Sequence, residues 1–429
     1  MKRSFKARVA VCVITIALQM ISRPLLGSPI AHEIPVSDFG SLLTLDEAVQ
    51  RTIKDDASLK QARERLMKEE ALYKGKLAEF LPKLGSEGFQ GLATGNRQSL
   101  TFFDTYVEQP IFLGGKSVAE KRKQRARVEN ESLQLEQVKS EVELSVRILY
   151  VELLKEKELT RIAQGEVIEL GRHLERTQNL YEREAVPRFE VLRAESLLQG
   201  AKHALVKHKE TYDYLSAVLR ETIGLGESET IEMEPLGEIT EIEPDFGAYL
   251  ASARLNDPIY KIKQLEIEEK KQEKRILEAE RYPHISLAAK WNLYKDVFVD
   301  TNRFVVGLAA KWNIWDFGRL GSEIKAKDHE MEEAKWAGTV EIRRKEKELR
   351  RLYHEARSAR EKIRLHETLR REREEEYKNE KVMHIAGQKG TNEILDVWIS
   401  REAARMDWVK AVSEYRSIMA RLAEGAGQL

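Results

Sequence analysis

Three groups of residues have the types and spacing that chemistry needs, and two of them fail at once. Gly114-Gly-Lys-Ser117 has the ending of a phosphate-binding loop, but that pattern requires glycine where Pro110 stands. Of the nine histidines, His203 and His208 lie closest, at a spacing that does not share a helical face, so they form no metal-ligand pair. The third group is electrostatic. It sits at two short reversals, Glu184 to Glu190 (EAVPRFE) and Gly387 to Glu393 (GQKGTNE), with Glu393 and Asp396 just beyond the second. Carboxylates in a helix's first turn complement its dipole, a modest stabilising role that requires no further function. Pro187 suits the first turn of a helix, and Thr391 after Gly390 suits an N-cap.

No triad, metal cluster or cofactor loop accompanies these residues, so neither an enzyme nor a cofactor is expected. Charged residues make up 34% of the 429 and aromatics 7%, a balance that favours long solvated helices over compact α/β domains. Lys+Arg and Asp+Glu both total 72, which removes any global charge argument for nucleic acid. The basic run Arg343-Arg-Lys345 and Arg350-Arg351 alternates with glutamates, as on a solvated helix face.

The opening MKRSFKAR precedes an apolar stretch from Val9 to Ile21, the layout of a secretory signal peptide. Residues 1–28 are read as that peptide, with a retained anchoring helix as the alternative. Cys12, the single cysteine, lies inside the apolar stretch, so removal of the peptide excludes disulfides and thiol catalysis. No later stretch approaches 18 uninterrupted apolar residues, which leaves a β-barrel as the route into a membrane.

The chain is written twice. Asp56 to Leu84 aligns with Asp257 to Ile285 at an offset of 201, and from Ile111, paired with Ile314, the offset is 203. Each half reads as helix, two strands, very long helix, reversal and returning helix. The first repeat spans 42–223, with strands 82–94 and 101–112, a long helix 116–184 and a returning helix 188–222. A linker, 224–244, leads to the second repeat, 245–425, with strands 283–295 and 303–315, a long helix 319–386 and a returning helix 391–424. At 1.5 Å per residue each long helix reaches on the order of 100 Å. The first helix of each repeat is expected to run unbroken, from about Asp46 to Phe80 and from Asp245 to Arg281.

Ile285, Leu287, Ala289, Trp291 and Leu293 alternate with smaller or polar residues, as do Phe304, Val306, Leu308, Ala310, Trp312 and Ile314. Four strands cannot close a membrane barrel; two chains give about eight, a bore that side chains fill, and three give about twelve, with room for a pore. Trp312, Trp315 and Phe317, with Trp291, Tyr294, Phe298, Phe102, Phe103, Tyr106 and Phe112, are expected where a barrel meets lipid headgroups and hands over to helices. An aromatic-lined core of a soluble β-domain is the competing reading.

Leu43-Thr-Leu-Asp-Glu-Ala48, the helix leading to Phe80-Leu-Pro82, and the pair QPIFLGGK and WNIWDFGR resemble the outer membrane factor family typified by TolC. The resemblance implies a mainly α chain that contributes four strands to a twelve-stranded transmembrane β-barrel, with a coiled-coil-like helical tunnel completed by a homotrimer. It implies an outer membrane exit duct that extends into the periplasm and serves a tripartite efflux pump or type I secretion system. The partners would be a periplasmic membrane-fusion adaptor and an inner-membrane transporter. It also implies a gate of acidic rings at Glu393 and Asp396, with Lys389 bridging to Glu190. His384 stands where the family has tyrosine. Adaptor docking falls on the tips at Val186, Pro187, Gly387 and Gly390. An exported coiled-coil scaffold without a pore is the rival function.

Overall fold

The computed structural model describes residues 43–93, 98–226, 232–235, 238–239, 241–243, 245–295 and 300–428. The stretch read as a signal peptide, Cys12 within it, and Phe298 lie outside these residues.

The first helix, α1 (Leu45–Asp55), begins because LTLDEA carries a capping box. The Glu47 N–H donates to Thr44 Oγ1 at 3.1 Å, and the Thr44 N–H donates to the Glu47 carboxylate at 3.2 Å. α1 stops at Asp56, whose carboxylate accepts from the Leu59 N–H at 3.0 Å and starts α2 (Ala57–Ala78). The second repeat does the same. α5 (Phe246–Asn256) ends at Asp257, which caps α6 (Pro258–Glu278), with proline at the first helical position. The expected unbroken first helices are therefore each two helices. The aspartate side chain offers the backbone an alternative to continuing the helix.

The strands β1 (Lys83–Ala93) and β2 (Gln98–Phe112) follow α2, and β3 (His284–Lys295) and β4 (Asp300–Lys311) follow α6. They form one antiparallel sheet in the order β1-β2-β3-β4. β4 ends at Lys311, short of the expected 315, so Trp312 and Trp315 leave the ladder before the next helix begins. The β2–β3 register shifts between Pro110 and Phe112. Ile111 is thereby left as the extra residue, and Phe112 is set opposite Ile285.

The long helices α3 (Lys116–Glu182) and α7 (Arg319–Ile385) have 67 residues each, and the returning helices α4 (Arg188–Thr222) and α8 (Thr391–Gly425) have 35 each. Gly115 and Gly318, both in the left-handed region at φ 89° and 86°, pivot the chain into the long helices. α3 packs on α1, α2 and α4 of its own repeat and on α6 and α8 of the other, whereas α7 packs on α5, α6 and α8.

The core lies midway along the long helices and repeats with the sequence. Val146, Tyr150, Leu153 and Leu219 are buried together in one cluster, and their partners 203 residues later, Leu349, Tyr353, Ala356 and Leu422, in another. Full burial of each large aliphatic side chain stabilises by about 1.5–3 kcal/mol. Tyr150 ties the linker to this core, donating at 2.8 Å to the carbonyls of Leu43 and Glu234, and burial pushes its hydroxyl up to about 12. Leu43 also forms a parallel bridge to Met233.

Between α3, α6 and α7, Glu273 gathers Lys123 at 2.9 Å and Lys327 at 3.2 Å. Burial alone would raise this carboxyl, but the lysine hydrogen bonds outweigh it and hold its pKa at about 2. A depressed folded-state pKa contributes stability above the unfolded value, and that contribution is lost as pH falls through the folded one. Acidification from about pH 4.5 to 2 is therefore expected to cost on the order of 2 kcal/mol at this junction. Glu273→Gln should flatten the drop, measured as denaturation midpoint against pH.

Candidate functional site: the sheet and the helical tips

The sheet has two chemically distinct faces. Along one, Leu84, Val107, Ala289 and Val306 stand in a cross-strand row, as do Ser86, Thr105, Trp291 and Phe304. Along the other runs the row Glu87, Asp104, Asn292 and Arg303, in which Asn292 donates to Asp104 at 2.9 Å. The apolar row is open to its surroundings, with Phe304 at 72% and Leu308 at 71% exposure. β1 and β4 each have one edge without a strand partner among the described residues.

The aromatics fall in two groups rather than one. Trp312, Trp315, Phe317 and Phe112 lie where the strands meet the helices. Trp315 and Phe317 stack edge-on at 6.1 Å, Phe112 meets Tyr282 edge-on at 6.4 Å, and Trp312 Nε1 donates to the Arg281 carbonyl at 3.1 Å. Trp291 is far from that end. It packs edge-on against Phe103 at 6.5 Å, six residues beyond Ile285, which is about 20 Å along a strand. The expectation of a single cluster is corrected to two bands with an apolar stretch between them. Phe317 is 92% exposed at φ 54°, where its repeat partner is Gly114 at φ 63°. A bulky residue in the left-handed region is strained, so this aromatic is held at a conformational cost. Asp316 holds the turn by accepting from the Gly318 and Leu320 N–H groups at 3.1 and 2.9 Å.

At the other end of the helices the two tips share one backbone design. The N–H of Glu184 donates to Tyr181 and that of Ala185 to Leu180, and their images Gly387 and Gln388 donate to His384 and Met383, all at 2.9–3.0 Å. The pattern requires a positive φ, supplied by Gly387 at 76° and by Glu184 at 58°. Pro187 and Gly390 are the N-caps of α4 and α8, so Thr391 is the first helical residue, not the cap. The acceptor comes instead from Glu393, whose carboxylate takes the Gly390 N–H at 3.3 Å. Val186 is half-buried, while Pro187, Gly387 and Gly390 are exposed.

The expected bridge from Lys389 to Glu190 is replaced by other partners. Lys389 lies 3.4 Å from Glu380 and 3.8 Å from Glu393, which it reaches within its own turn, and Asn392 donates to Glu190 at 3.1 Å. His384 donates from Nδ1 to the Lys389 carbonyl at 2.9 Å, closing the reversal. Asp396 faces Arg193 on α4 at 3.5 Å. The sequence reading omitted Arg193 and Asn392. The repeat held a signal for the first, since Arg193 and Asp396 are equivalent positions 203 apart with opposite charge. Behind the tips Leu170, Leu198, Ala201, Leu395 and Trp398 form a buried cluster. His173 is buried nearby, and burial, with Arg176 adding to it, holds its imidazole below the usual range.

This arrangement of duplicated helical hairpins, a four-stranded sheet and paired tips is the fold of solved outer membrane channels. The Campylobacter jejuni CmeC outer membrane channel matches with a TM-score of 0.76 at 13% identity, over 90% of this chain and 85% of that one. The Vibrio cholerae outer membrane protein VceC matches at 0.74 and 14%, over 89% and 96%. The Neisseria gonorrhoeae MtrE channel in its open state matches at 0.75 and 14%, over 89% and 88%. Residues 48–225 match the family model for outer membrane efflux proteins. The chain is thus similar to the TolC-like factors its motifs resemble, in sequence across the first repeat and in fold across both. No curated protein matches it in sequence.

The tip geometry sets opposite expectations for two substitutions. Glu184→Gly removes a left-handed penalty of about 1 kcal/mol and should slow hydrogen exchange around residues 183–187, whereas Gly387→Ala should speed it around residues 386–390.

Proposed function

We propose that this chain is the exit duct of a tripartite efflux pump or type I secretion system, set in the outer membrane and reaching into the periplasm. The observation that carries this reading is the sheet, with one mainly apolar face, one mixed face where Glu87, Asp104, Lys290 and Arg303 stand among Phe89, Phe102 and Tyr106, and two edges without a strand partner among the described residues. No helix among the described residues is long and apolar enough to cross a membrane. A closed barrel can cross, because closure pairs every backbone group, and it needs an apolar outside and a polar lumen. Three copies joined from β4 to β1 give about twelve strands, enough for an aqueous bore. The two aromatic bands, about 20 Å apart along the strand, are about 15 Å apart in height at a barrel's tilt of about 40°, and so bracket part of an apolar belt of about 25 Å.

The helices support the same assembly. α3 is flanked by both repeats, while α7 lacks the contacts that would correspond to those of α3 with α6 and α8. A second copy presenting α2 and α4 would complete it, and three copies would close a helical tunnel beneath the barrel. The units of each copy are repeats 42–223 and 245–425 joined by 224–244, after export through residues 1–28. At the tip, three copies bring six carboxylates from Glu393 and Asp396 toward one axis, which favours cations and resists closure unless they are bridged. Arg193, Lys389, Asn392 and Glu190 are positioned to bridge them, and His384 braces the turn. The reversals, with the half-buried Val186 and the exposed Pro187, Gly387 and Gly390, are the surface offered to a periplasmic adaptor, which links the duct to an inner-membrane transporter.

In planar bilayers the purified protein should show discrete conductances, and Glu393→Ala with Asp396→Ala should reduce the preference for cations. Channels indifferent to the double substitution would remove these residues from the gate. A protein that remains in solution without detergent and never conducts would establish a periplasmic scaffold instead.

A further inference from the structure

The internal duplication turns contacts inside the chain into a template for contacts between chains. Three ion or charge contacts join α3 of the first repeat to α6 of the second: Arg127 with Glu269 at 2.5 Å, Glu129 with Lys261 at 3.0 Å, and Lys123 with Glu273 at 2.9 Å. Residues of α3 map onto α7 by adding 203, and residues of α6 map onto α2 by subtracting 201. The first contact maps onto Glu330 and Lys68, the second onto Glu332 and Lys60, and the third onto Ala326 and Leu72. All three images are complementary. One pair reverses its charges, one keeps them, and one becomes apolar on both sides.

Within one chain α7 and α2 do not meet in this way, and the image residues are open. The side chains of Lys60, Lys68 and Glu332 are 58%, 62% and 52% exposed, and Leu72 is 49% exposed. Their present partners are local for Lys60 (Asp55), Lys68 (Glu69) and Glu332 (Lys335), while the half-exposed Glu330 pairs with Lys327 in its own turn and with Lys270 of α6 at 3.4 Å. Such exposed pairs contribute little and exchange readily.

We propose that these residues form the seam between neighbouring copies of this chain, with Glu330 on Lys68, Glu332 on Lys60 and Ala326 on Leu72. The proposal rests on the oligomer proposed above and adds how its copies choose their neighbours. The reversed pair supplies the choice. Were α7 of another copy to displace α3 from α6, Glu330 would face Glu269, and were α2 to displace α6 from α3, Lys68 would face Arg127. Like charges penalise both wrong pairings, so first and second repeats must alternate around the ring.

Native mass spectrometry of the full-length protein in detergent, on dilution, tests this. Lys68→Glu should shift dissociation to roughly tenfold higher protein concentration, and adding Glu330→Lys should restore it. In a Cys12→Ser background, Leu72→Cys with Ala326→Cys should link copies covalently on oxidation, and neither single cysteine should do so. Trimers that ignore the charge reversal and fail to cross-link would overturn the seam and leave the oligomer standing. A wild-type protein that is monomeric at every concentration would overturn the oligomer itself.

Discussion

The structure depends on one packing relationship, that of α3 with helices from both repeats. The other long helix, α7, packs on α5, α6 and α8 of its own repeat, and α6 and α8 reach the first repeat by packing on α3. Because α3 lies against α6 and α8 as well as α2 and α4, the helices of the two repeats are packed into one layer. The sheet follows from the same relationship. β2 and β3 belong to different repeats, and they pair where α3, which leaves β2, and α6, which leads into β3, lie side by side. The lysine cluster at Glu273 reinforces the junction, drawing on α3, α6 and α7 at once.

Much of this was legible in the sequence because duplication makes one half a check on the other. β1 is rich in glycine and alternates poorly, yet its partner β3 alternates clearly, and both are strands. The long helices fall where Gly115 and Gly318 precede runs almost free of breakers. What escaped the reading were local competitions between side chain and backbone. Asp56 interrupts a helix by its carboxylate's reach to the Leu59 N–H, and Asp257 does the same to the Ile259 N–H with Pro258 beside it, which also stops the preceding helix. β4 stops early for a tertiary reason, since Trp312 turns its indole N–H to the Arg281 carbonyl. The alternation of Trp312 and Ile314 with polar neighbours gives no warning of that.

At the tips, the residue types were visible and the pairings were not. Glu393 reads equally well as a capping acid or as a ring carboxylate, and in the chain it does cap α8. Lys389, four residues before Glu393, reaches that acid within one turn, which a linear sequence does not distinguish from a reach across to α4. Glu184 is the clearest case of geometry overriding preference. The reversal needs a left-handed residue at that step, and the first repeat supplies it without glycine.

The equal lengths of the helices constrain how such a chain can vary. With 67 residues in each long helix and 35 in each return, both tips end level. Inserting one residue into a single long helix would displace its tip by about 1.5 Å and rotate it by about 100° relative to its twin. The helices are therefore fixed rulers. The two halves differ in length in the hairpins, where the offset grows from 201 to 203; each paired arm of the second hairpin is one residue longer, and the segments between the arms, 94–97 and 296–299, are equal. A change of length can therefore be absorbed in the hairpins, whose arms already differ, and elsewhere only if both halves change together.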